Sequence, residues 1–108
     1  MGNFNDGIIR DGATVGDGKV LGNILHGIIR DGDSKGTGNP VGNVKNGVVL
    51  DADGNPLFNV KKGMVRNGHT TGSGIAIGKI GDYSIQGMIA EPADEMVAAY
   101  HFFINKIV

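Results

Sequence analysis

With 108 residues, 20 glycines and no cysteine, the chain is the length of one domain and excludes disulfides, thiolate nucleophiles and thiolate metal sites. Its 10 basic and 11 acidic residues give a formal net charge of −1, which argues against non-specific binding to nucleic acid or a membrane.

In chain order, Gly2, Gly22, Gly42, Phe58 and Gly78 each start a copy of one unit, at spacings of 20, 20, 16 and 20 residues. The copies read GNFNDGIIRD, GNILHGIIRD, GNVKNGVVLD and FNVKKGMVRN, and the fifth runs GKI, GDYS, IQGMIAE. A repeated unit of this length dictates architecture more than chemistry. At the centre of each unit lies an x-Gly pair: Asp6-Gly7, His26-Gly27, Asn46-Gly47, Lys62-Gly63 and Gln86-Gly87. Such pairs suit the left-handed dihedrals of a two-residue type I′ hairpin turn.

Side chains alternate faces along a strand, so these turns fix a register. One face receives Phe4 with Ile9, Ile24 with Ile29, Val44 with Val49 and Val60 with Val65, joined by Ile80 and Ile89. The other receives Asn3 with Arg10, Asn23 with Arg30, Asn43 with Leu50 and Asn59 with Arg66, and is expected to be wet. The copies are joined by the links GATVGDG, GDSKGTG, ADG and GHTTGSG. The third is four residues short, which accounts for the 16-residue spacing.

From Pro92 the pattern changes to a helix, with Asp94 and Glu95 in the first turn and Met96, Tyr100, Phe103 and Ile107 on one stripe. The expected fold is mainly β. An antiparallel meander of about ten short strands, built from five hairpin repeats of about 20 residues, curls toward a barrel and carries one C-terminal α-helix. Residues 2–91 form the β region and 92–108 the helix of a single domain; a β-solenoid is the alternative. Units such as residues 42–55 resemble in style the glycine-turn β-repeats of bacterial proteins, a likeness that carries no activity. A helix of about 16 residues spans about 24 Å, whereas ten strands cover roughly 45 Å. Laid across the strands it leaves half the apolar face bare, so a homo-oligomer is expected.

Three long links are expected to emerge on one edge and present Thr14, Asp17, Asp33, Ser34, Thr37, His69, Thr70, Thr71 and Ser73. Rows of small polar residues on neighbouring loops suit a glycan, another small molecule or a protein surface. They equally suit solvated turns that bond to themselves. Arg10, Arg30 and Arg66 form a possible cationic row on the wet face. Asp51, Asp53 and Asn55 begin like a calcium loop but lack its glycine at position six and glutamate at position twelve. Residues 72–79 lack the spacing and the Ser or Thr of a phosphate loop. His26, His69 and His101 fall in a turn, a link and the helix, so no metal site, cofactor or catalytic set is expected.

The functional expectation is therefore a non-enzymatic structural or binding module that self-associates, with glycan or surface-ligand binding through the links as the alternative. Residues 1–10 lack the apolar core of a secretion signal, so a cytoplasmic location is the default, with secretion open if a leader has been removed.

Overall fold

A computed structural model describes residues 2–87 and 93–108. Among the described residues nine strands form one antiparallel sheet in strict chain order. They are β1 Gly2–Asn5, β2 Ile8–Asp11, β3 Lys19–Leu25, β4 Ile28–Arg30, β5 Pro40–Lys45, β6 Val48–Asp51, β7 Pro56–Lys61, β8 Met64–Arg66 and β9 Ala76–Lys79. This neighbour-to-neighbour ladder is a meander, and the solenoid alternative falls away. The second strand of the expected fifth hairpin, with Ile89, and the helix start at Pro92 lie outside the described residues.

The four described hairpin turns follow the dipeptides. Asp6, His26, Asn46 and Lys62 have φ between 49° and 54°, and each is followed by a glycine near 80°. These are the two left-handed residues of a type I′ turn, whose twist matches that of the flanking strands. The register that follows is the expected one. Phe4 opposes Ile9, Ile24 opposes Ile29, Val44 opposes Val49, and Val60 opposes Val65.

Between hairpins the ladder slips at one recurring place. A bulge follows Ile9, Ile29, Val49 and Val65. The extra residue on the facing strand is Leu21, Val41, Leu57 or Ile77, and each packs against the core. Bulges bend the strand and increase its twist, so four at equivalent sites curl the ribbon into a trough. The trough does not close into a barrel. Among the described residues, β1 meets the segment that follows β9 through one isolated bridge, Asn3 to Gln86, with the Phe4 N–H donating to the Gln86 carbonyl at 2.8 Å.

The helix fills the trough lengthwise. Helix α1, Ala93–Ala99, continues into a π-helical turn, Tyr100–Ile104, closed by the Asn105 N–H on the Tyr100 carbonyl at 2.9 Å. Residues 105–108 are not helical, so the helix ends earlier than the expected 92–108. The Glu95 carboxylate lies near the backbone N–H of the turn residue Gly27, while Phe102 and Phe103 lie over Gly42 and Gly22 near the links. The helix thus runs from the turn edge to the link edge. Met96, Val97, Ala98 and Ala99 are all buried, as an element enclosed on every side requires. The described dry-face residues are buried or half-buried, so the bare half-face that motivated a homo-oligomer is absent among them. None of the described helices is long and apolar enough to cross a membrane.

Three of the glycines that open the units make room for this helical segment, and the fourth makes room for the turn at Ile80–Tyr83. A side chain at Gly2 would meet Ile104, one at Gly22 would meet Phe103, one at Gly42 would meet Phe102, and one at Gly78 would meet Tyr83. At Phe58 the arrangement inverts: the sheet supplies the ring, edge-on to His101 at 5.3 Å between centroids. Gly22→Ala is expected to lose about 3 kcal/mol, because its Cβ also meets the Arg30 carbonyl and the backbone must shift. Gly81→Ala, facing open space, is expected to stay within about 0.5 kcal/mol. Chemical denaturation of the pair measures both.

Candidate functional site

The polar face is not the wet surface that alternation implies. Asn3, Asn23 and Asn59 are fully buried, because each long link folds back over its own hairpin. Asn23 shows the pattern. Its Nδ2 donates to the Gly32 and Thr37 carbonyls, both at 3.1 Å, and its Oδ1 accepts the Gly36 N–H at 2.9 Å. Asn3 and Asn59 make the same bonds to the first and fourth links. Buried backbone groups need partners, and a primary amide offers both donor and acceptor for them.

The arginine row is engaged in the same task. Arg10, Arg30 and Arg66 each donate to the last glycine carbonyl of the adjoining link, at 3.5, 3.2 and 3.3 Å. Arg10 has the longest of these bonds, and its Nε is buried without a partner.

The nine candidate link residues pair mainly within their own links. Thr14 donates to Asp17 at 2.8 Å, Ser34 and Thr37 share a bond of 3.2 Å, and Thr70 donates to Ser73 at 2.9 Å. Thr71 instead donates to the Asn46 carbonyl of a neighbouring turn, much as Lys35 bridges to Asp6 at 3.2 Å. Asp33 and His69 are exposed. The links are therefore self-bonded turns, and no set of these side chains from different links converges among the described residues. No three His, Asp or Glu side chains gather for a metal ion there either. Asp51 holds its own short link: its carboxylate accepts the Asp53 and Asn55 N–H groups at 2.9 Å, and the latter bond is the largest cause of its lowered pKa.

The short third link has a different consequence. With residues 52–54 in place of a seven-residue cover, the link edge is open beneath it, and a groove of about 610 Å³ lies there. Asp51 and Leu57 form one side, and the π-helical turn with residues 105, 106 and 108 forms the other. His101, only 6% exposed, stands in its wall between the edges of Phe58 and Phe102. Its Nδ1 accepts the Ile107 N–H at 2.9 Å, which places the neutral-state proton on Nε2. Burial first, and Lys106 second, push its pKa below the usual value of 6.5. Nε2 makes no hydrogen bond among the described residues and can donate to a ligand. A second cavity, about 680 Å³, lies at the seam between Gly2 and residues 82–86, with Asp82 as the charged residue among its described walls.

Sequence reasoning placed His101 in the helix without a role and missed the groove. The available signals were the four-residue deletion and Phe58 at a position otherwise held by glycine. No family model matches the chain, and neither a curated protein nor a solved structure does.

Proposed function

We propose that the chain is a non-enzymatic binding module in which five hairpin units build the scaffold. The groove beneath the short link takes a small, largely apolar ligand with one hydrogen-bond acceptor. One observation carries this reading: the groove sits where the unit departs from its own pattern twice, in the shortened link and at Phe58. The polar side chains repeated elsewhere bind their own backbone, whereas the groove is lined by His101, Asn105 and Lys106, each with a side-chain N–H to offer. A volume of about 610 Å³ falls within the roughly 300–1,000 Å³ of small-molecule sites. Leu57, Phe102 and Phe103 supply the apolar wall.

Amide NMR with a fragment library and a panel of mono- and disaccharides tests it. Shifts at residues 57 and 101–106 on adding apolar carboxylate or amide fragments are the expected result. Shifts confined to residues 14–17, 34–37 and 70–73 on adding sugars would transfer the site to the links. Self-association keeps a narrower basis, Ile75, which is 73% exposed beside strand β9. Sedimentation over a range of concentrations measures it.

A further inference from the structure

The groove is partly roofed by the chain itself. After the π-helical turn the backbone becomes extended at Asn105 and residues 105–108 follow without regular structure, and Asn105, Lys106 and Val108 line the groove. Ile107 packs against the edge of the core, and its N–H donates to His101 Nδ1 at 2.9 Å, the side-chain hydrogen bond that returns this segment to the body among the described residues. A ring nitrogen can accept that bond only while it is unprotonated. We propose that residues 105–108 are a strap over the groove, latched by His101, and that proton uptake by His101 unlatches it. The inference concerns regulation of the site proposed above and rests on that reading for its purpose, though not for its mechanics.

The surroundings of His101 decide the sign. Lys106 on the strap disfavours a second positive charge, and Asp51 on β6 is the acidic side chain lining the same groove among the described residues. β7 contributes the Phe58 ring, and the π-helical turn contributes Phe102. On the helix the described acids are Asp94 and Glu95, seven and six residues earlier and toward the turn edge. With its folded pKa below 6.5, the latch is complete above pH 6.5 and is lost as pH falls through the lower folded value. Glu95 works in the other direction. Burial, then Asp94, raise its pKa, partly offset by the Gly27 N–H, so acidification relieves it. Global stability therefore mixes two opposed trends, and the latch must be read locally.

The experiment is amide hydrogen exchange and ring NMR on the ligand-free chain from pH 7.5 to 5. The Ile107 amide is expected to lose protection, corrected for intrinsic rate, by about tenfold for each pH unit below the His101 midpoint. Core amides such as Val49 and Val65 should stay protected. In His101→Asn, whose side-chain oxygen can accept the same N–H without titrating, Ile107 should remain protected throughout. Unchanged Ile107 exchange across the His101 ring titration would overturn the proposal, as would simultaneous loss at Val49 and Val65. Should the strap open while no fragment binds, the latch stands and only the binding reading falls.

Discussion

Asn23→Ala is expected to lose about 3 kcal/mol, roughly one for each of three hydrogen bonds to backbone that the link cannot replace. In a domain of this size that lowers the melting temperature by about 12–20 °C. Asn43 stands at the equivalent position opposite Leu50, but its link is the short one. Its side chain is half-buried and makes no hydrogen bond among the described residues. Asn43→Ala should therefore cost no more than about 0.5 kcal/mol. The pair differs in the link and not in the strand, so thermal unfolding of both isolates what the amide does. Equal losses would mean that Asn23 matters as a strand residue and that the bonds to its link contribute nothing net.

Val49→Asp should abolish folding. Val49 is 0% exposed, faces Val44 and Phe58 across the ladder, and belongs to the continuous core under the helix. A carboxylate there has no partner, and the penalty, either as a buried charge or as a forced protonation, is about 4 kcal/mol or more. Marginal stabilities of about 5–15 kcal/mol leave little beyond that. Leu50→Asp, one residue on and facing outward between Asn43 and Pro56, should cost about 1 kcal/mol. Circular dichroism and proton NMR of the two variants decide the matter. If Leu50→Asp were the one that failed to fold, the assignment of inner and outer faces would be reversed.

Those two substitutions also separate what was legible in the sequence from what was not. The register around Val49 was legible because x-Gly pairs determine turn geometry, and the turn determines which residues oppose. The burial of Asn23 was not, because alternation reports the face of a strand and not what later folds over it. A signal existed: a merely solvated row could use many polar residues, yet asparagine recurs at 3, 23, 43 and 59. The bulges left a trace as well, in the apolar residues 21, 41, 57 and 77 that precede each later unit. Strict alternation would have turned them outward. The helix was legible as an element, but not its direction or its early end. Glycines 2, 22, 42 and 78 only explain themselves once Ile104, Phe103, Phe102 and Tyr83 lie against them. The groove was least legible of all. It arises from four absent residues, and pattern reading registers an absence as a shorter period rather than as an opening.

The recurring bulge makes the width of the trough a counted quantity. Each hairpin bends the ribbon by its own share, so no single side chain sets the bore. Adding or removing a unit would resize the channel in whole steps, and a slimmer or stouter axle would then be needed to fill it. Duplication of about twenty residues thus offers a coarse gauge for internal diameter, and trimming a link offers a fine one for access. These two adjustments act on different parts of the chain, so a lineage could change what enters without rebuilding the wheel.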